Sequence, residues 1–286
     1  MNFTPTHPFF AGVDSDGCVF PTMELKHKEC FIPEFIRSFG LQSVSTAARE
    51  TWEFVNLYSL DRGVNRFPAL VKTLDLLVQR PVFKDSGLPT PDYADIRAFT
   101  VSGKPQSNAG LKDYLKVHDT PVLRNLLEWS EAVNMAVGRM VHAVSPFPSA
   151  KKALEQLFKS CDMMVVSGTP TASLQKEWKE HDIERYVRLI CGQEAGSKKD
   201  HLTASAKGKY AAGKILMIGD APGDHKAAQS VGALFFPVNP GAEEDSWKLF
   251  LSEGLQRFLE GTFTGKFQDA LTGDFYSRLP ERPVWD

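Results

Sequence analysis

Five short apolar runs, each stopped by a small or polar residue, constrain this chain more than any other feature of it. The first is Phe9–Val13, ending at Asp14; the others cover 163–166, Leu189–Cys191, 215–218 and 234–238. Such runs are too short for buried helices and do not alternate with polar residues, so they read as strands covered on both faces. Helical patterns separate the late ones. Ala150, Ala153, Leu154, Leu157 and Phe158 share one helix face, and a second helix is expected to start near Pro170 with Thr169 as its cap. Strand, helix and strand in succession imply an α/β fold with a parallel sheet and right-handed crossovers.

From about 23 to 145 the apolar residues follow helical spacing instead. Leu70, Val71, Leu74, Leu77 and Val78 form one stripe; Val122, Leu126, Trp129 and Val133 form another. The stretch 81–108, rich in Pro, Gly, Asp and Ser, is expected to be irregular with short strands. One strand precedes this helical module and the rest follow it. It therefore reads as an insertion: a core of 1–22 and 146–286, and a helical cap of 23–145. After about Gly241, helical spacing in Trp247, Phe250, Leu251, Leu255 and Phe258 gives way to a tail with no assignable role.

Of the 286 residues, 33 are basic and 35 acidic, a formal charge of -2 that provides no field for a nucleic acid or an anionic membrane surface. No apolar run approaches the roughly 20 residues that span a bilayer. No export signal is visible, and Cys18, Cys30, Cys161 and Cys191 are too scattered for a disulfide framework or a zinc site. A soluble, cytoplasmic protein is expected.

In an open parallel sheet, ligands bind beyond the carboxyl ends of the strands. There the chain carries Asp14-Ser15-Asp16-Gly17, Ser167-Gly168-Thr169, Ser197-Lys198-Lys199 and the string Gly219-Asp220-Ala221-Pro222-Gly223-Asp224. Carboxylates gathered at one edge repel unless a cation or proton neutralises them. All-oxygen ligation points to magnesium, which takes about one or two carboxylates, several waters and a substrate phosphate. A hydroxyl, glycine amides and a lysine would hold the remaining phosphate oxygens, an inventory that suits phosphoryl transfer. Asp14 and Asp16, two apart in extended chain, face the same way, so one can attack while the other moves protons.

This ordered set resembles the four motifs of the haloacid dehalogenase superfamily, and the insertion resembles the helical cap that many members carry between the first and second motifs. The resemblance implies a Rossmann-like core and a phosphoric monoester hydrolase in which Asp14 attacks phosphorus to give an aspartyl-phosphate. Asp16 would protonate the leaving oxygen and then activate water. Magnesium would bind the Asp14 carboxylate, the Asp16 carbonyl and the Asp220 side chain. Asp224 is either a further metal ligand or a partner that orients Lys198. Ser167 and the Gly168 amide, with Thr169 beside them, would hold the phosphoryl group, and Lys198, preferred over Lys199, would balance the charge. Members that cleave carbon–halogen or phosphonate bonds lack the second aspartate, so Asp16 favours phosphate esters.

Other candidates are less specific. Arg62 and Arg66 lie at helical spacing, where they would contact a second anionic group of the substrate or simply face solvent. His201, His225 and Cys18 sit beside the motifs and are expected to be structural. The expected activity is magnesium-dependent hydrolysis of a small phosphorylated metabolite. A sugar-phosphate mutase of the same superfamily and a noncatalytic phosphate-ligand binder remain open.

Overall fold

The computed structural model describes residues 3–285, which form two compact units. One comprises 3–23 and 143–280; the other comprises 24–142 with 281–285.

The first unit is built on a five-stranded parallel sheet of β1 (Phe9–Val13), β2 (Cys161–Val166), β3 (Leu189–Cys191), β4 (Ile215–Gly219) and β5 (Leu234–Pro237), in the order β3-β2-β1-β4-β5. β1 is central, pairing Val13 with Val165 on one side and with Ile218 on the other. Successive side chains point to opposite faces, and the two faces are separate apolar layers. Ala11, Val13, Met163, Val165, Leu216, Ile218 and Phe236 enter one; Phe10, Met164, Val166, Met217 and Phe235 enter the other. The strands are almost wholly apolar because both faces of the sheet are buried, Asp162 of β2 being the charged exception.

Helices complete the layers: Pro148–Leu157 and Thr171–Glu180 contribute to the first, Lys198–Ser205 and Pro222–Val231 to the second. At the sheet end remote from the motifs, Asp162 is buried among donors. Its carboxylate accepts from the Thr6 amide at 2.7 Å, Tyr210 Oη at 2.7 Å and Arg188 at 2.8 Å. Burial alone would raise its pKa, but these donors, with the Thr6 hydroxyl and the His7 amide, hold it well below the usual carboxylate range. The network fastens the N-terminal segment beneath the sheet.

The second unit has a core of its own. Ile32–Ser38, Ser45–Leu57, Arg66–Leu77 and Pro121–Met140 pack Phe35, Trp52, Phe67, Leu70, Leu74, Leu126 and Trp129 together. Both expected stripes lie on its helices. The stretch 81–108 holds no strand; it contains the helices Pro81–Asp85 and Ala94–Thr100, whose Phe83, Ile96 and Phe99 join that core. Residues 281–285 also pack here, although the sequence reading carries the core through 286. The Trp285 ring meets the edge of Phe54 at 5.2 Å, and the Arg80 guanidinium lies 4.7 Å from its centroid. Among the described residues no helix is long and apolar enough to cross a membrane.

Candidate active site

The motif residues of the first unit meet at the carboxyl ends of β1, β2 and β4. Asp14 continues β1, its amide donating to the Ile218 carbonyl at 2.9 Å. Its carboxylate accepts from the Ser15 amide at 2.8 Å and from Lys198 Nζ at 2.6 Å. Lys198 opens the helix Lys198–Ser205, and its ammonium also donates to Asp224 Oδ1 at 2.7 Å. Lys198, not Lys199, therefore reaches the carboxylates. Ser197 and Asp200 form a true capping box around it, so the same string serves both the helix end and the site.

Asp220 directly follows β4, and Asp224 lies in the first turn of Pro222–Val231. Asp14, Asp220 and Asp224 are each at most 5% exposed, and one carboxylate oxygen from each lies within 4.8 Å of the others. Asp224 also accepts from the Ala221 amide at 3.1 Å. Gly219 makes this approach possible: a Cβ there would stand 2.3 Å from Asp224 Cγ.

Burial pushes the Asp14 carboxyl up to about 6; Asp220 adds to the rise and Lys198 opposes it. Asp224 is raised by burial and by Asp14, again against Lys198. For Lys198 the order reverses. Burial would lower its pKa, but Asp14 and Asp224 together hold it above the ordinary lysine range. Three buried carboxylates thus gather beside the Lys198 ammonium, which bonds two of them. The donor set is all oxygen and carries excess negative charge, which fits a magnesium ion.

Asp16 stands apart from that trio. Its Oδ1 accepts from Thr22 Oγ1 at 2.5 Å and its Oδ2 from Thr169 Oγ1 at 2.6 Å. Thr169 was expected to cap the next helix; instead its hydroxyl goes to Asp16, and Thr171–Glu180 has Pro170 at its cap position with no side-chain cap. The chain turns back after Asp16 because the Ser15 carbonyl accepts from the amides of Val19 and Phe20 at 2.9 and 3.0 Å, with Gly17 at φ 75°. Glycine adopts that left-handed conformation without a Cβ penalty. Ser167 is buried behind β2, its Oγ accepting from the Thr169 amide at 3.2 Å, and the space beside Gly168 is open.

Thr22 escapes sequence reasoning. Its only signal is a hydroxyl just past the turn that follows Asp16. Cys18 is buried, with Sγ 3.8 Å from the Ile218 carbonyl, and burial raises its thiol well above the ordinary range. His201 is also buried; His225 stacks on Phe235 at 4.9 Å and pairs with Tyr276 Oη at 2.9 Å. Arg62 and Arg66 belong to the helical unit. Arg62 donates to the Leu57 carbonyl at 2.9 Å. Arg66 donates to Ser130 Oγ at 3.1 Å and Asn134 at 2.8 Å and lies 4.9 Å from the Phe31 ring centroid. Burial lowers its guanidinium to about 10.

A carboxylate paired with a lysine, a second carboxylate held by two hydroxyls and a buried acidic trio thus meet at one end of a parallel α/β sheet. The family model for haloacid dehalogenase-like hydrolases matches residues 70–238, more than half of the chain, and the protein belongs to that family. The match includes Ser167, Lys198, Asp220 and Asp224 and begins after Asp14 and Asp16. No curated protein matches the chain in sequence.

Solved structures resemble it at low identity. A predicted phosphoglycolate phosphatase from Haemophilus somnus is 15% identical, with 87% of this chain and 99% of that one covered at a TM-score of 0.48. A predicted phosphatase from Clostridium acetobutylicum is 12% identical, with 89% and 100% covered at 0.47. A hydrolase from Bacillus subtilis described as bound to magnesium is 15% identical, with 82% and 88% covered at 0.42.

Proposed function

We propose that the protein is a magnesium-dependent phosphatase that hydrolyses a small phosphorylated metabolite through an aspartyl-phosphate. The observation that carries this reading is the Asp14–Lys198–Asp224 chain of contacts at 2.6 and 2.7 Å, set beside an Asp16 with both oxygens held by hydroxyls.

In the first step an Asp14 oxygen forms a bond to phosphorus as the bond from phosphorus to the substrate oxygen breaks, and Asp16 gives its proton to that leaving oxygen. In the second step Asp16 takes a proton from water as the water oxygen attacks the aspartyl-phosphate. Inorganic phosphate departs and Asp14 is restored. Ser167 Oγ and the Gly168 amide hold the equatorial oxygens, while Lys198 balances the charge on Asp14 and the phosphoryl group. Asp14, Asp220, Asp224 and the Asp16 carbonyl would hold magnesium, which supplies charge compensation to the phosphoryl oxygens when bound. The family membership and the oxygen-only acidic trio support this reading.

Asp14→Asn removes the nucleophile while keeping its shape. Phosphate release from p-nitrophenyl phosphate with magnesium should fall at least about a thousandfold, with the circular dichroism unchanged. Wild-type turnover by that variant would refute the assignment. Measuring inorganic phosphate against free alcohol over a panel of sugar phosphates separates hydrolysis from transfer between two positions of a sugar. A ligand binder that releases no phosphate from any of them would fail the reading altogether.

A further inference from the structure

The residue between the two aspartates has three separate attachments. The Ser15 amide donates to Asp14 Oδ1 at 2.8 Å, and its carbonyl gathers the amides of the turn that carries Asp16. Its side chain, fully buried, projects away from both aspartates toward the helix Thr171–Glu180. There Trp178 Nε1 lies 2.9 Å from Ser15 Oγ, and Glu177 Oε2 lies 3.3 Å from it. An indole N–H only donates and a carboxylate only accepts. The polarity is therefore fixed: Trp178 donates to Ser15, and Ser15 donates to Glu177.

This helix begins directly after Ser167-Gly168-Thr169, so the loop proposed to hold phosphate and the group that grips Ser15 belong to one short continuous segment. Rotating the peptide between Asp14 and Ser15 would swing the Asp14 carboxylate away from Lys198. The Ser15 side chain is the handle that resists this rotation. Trp178 is itself immobilised, fully buried and packed edge-on against Phe20 at 6.1 Å.

Resting on the reading of Asp14 as nucleophile, we infer that Ser15 and Trp178 are positioning residues that keep the Asp14 carboxylate aligned with the Ser167-Gly168-Thr169 loop through the Trp178–Ser15–Glu177 chain. Neither touches the reacting atoms. Their effect is on the orientation of the attacking oxygen, where small displacements are costly in rate.

The test is steady-state hydrolysis of p-nitrophenyl phosphate with magnesium by the wild type, Ser15→Ala, Trp178→Phe and the double variant. Each single change should lower kcat about tenfold with KM within about twofold, and the double variant should be no slower than the slower single, because both break one chain. A role in packing alone would leave Trp178→Phe, which keeps a ring in place, at wild-type kcat, and that result would overturn the inference. Trp178→Phe also carries the test where Ser15→Ala does not fold. A wild type with no activity toward any phosphate ester would defeat the phosphatase reading instead. The positioning claim is then decided by a crystal structure of Trp178→Phe: Asp14 displaced from the Ser15 amide and Lys198 supports it, and Asp14 unmoved rejects it.

Discussion

Asp14, Asp220 and Asp224 bring three buried carboxylates together beside the Lys198 ammonium, and that crowding has measurable consequences. Asp14, raised to about 6, is protonated in much of the metal-free protein below that pH. Magnesium requires the ionised form, so protons and metal compete. Magnesium should raise the thermal midpoint clearly at pH 7.5 and much less at pH 5, read by scanning calorimetry at one metal concentration; equal shifts at both would show that Asp14 is not a ligand. Asp16 poses a different problem: in the proposed reaction it gives and takes a proton, which requires it to stay in one rotamer. Thr22→Val removes one of its two hydroxyl donors, a loss near 1.4 kcal/mol for a bond to a charged acceptor, and kcat for p-nitrophenyl phosphate should drop roughly tenfold with KM preserved. Asp14, Ser167, Lys198, Asp220 and Asp224 were legible because each follows an apolar run or opens a helix. Thr22 and Trp178 were not, because their relevance exists only after the chain has turned back on Asp16 or crossed from β1 to the far helix.

Among the elements, the loop between β4 and the helix Pro222–Val231 depends on a missing side chain. Gly219 lies against the Asp224 carboxyl, and a methyl group there could be accommodated only by moving a charged group held by Lys198 and the Ala221 amide. Gly219→Ala should destabilise by about 1–3 kcal/mol in urea denaturation, the usual cost of overpacking, and weaken magnesium binding at the same time. A variant with normal stability would mean that Asp224 moves freely. The strands were readable from sequence because both faces of the sheet are buried, which leaves uninterrupted apolar runs. The stretch 81–108 was not. Its turn-forming residues dominate the composition, while the helix Ala94–Thr100 is determined by only Ile96 and Phe99 reaching a core made elsewhere in the chain. Thr169 shows the same limit in reverse: a good capping residue by type, it is taken by a carboxylate distant in sequence.

At the scale of the molecule, each unit has an apolar core of its own, and among the described residues no core cluster draws on both units. A chain ending at Pro280 in which a flexible Gly/Ser linker replaces 24–142 should still unfold cooperatively in denaturant. Trp178 and Trp247, both fully buried in the first unit, are then the only tryptophans left to report it. A featureless fluorescence change would show that the sheet needs the helical unit to fold. The sequence reading expects a helical cap of 23–145 from a change in periodicity; nothing in that pattern signals the packing of 281–285 with the helical unit, where one aromatic ring meets Phe54 and Arg80.

The central place of β1 also matters during synthesis. Its neighbours on either side begin only at Cys161 and Ile215, so the ribosome releases Phe9–Val13 long before anything can pair with it. At ordinary elongation rates that delay is on the order of ten seconds, during which an apolar segment stays uncovered while the helical unit can already fold. Chaperone dependence and aggregation of nascent chains should therefore respond to polar substitutions in this one segment more than to changes in the strands made later.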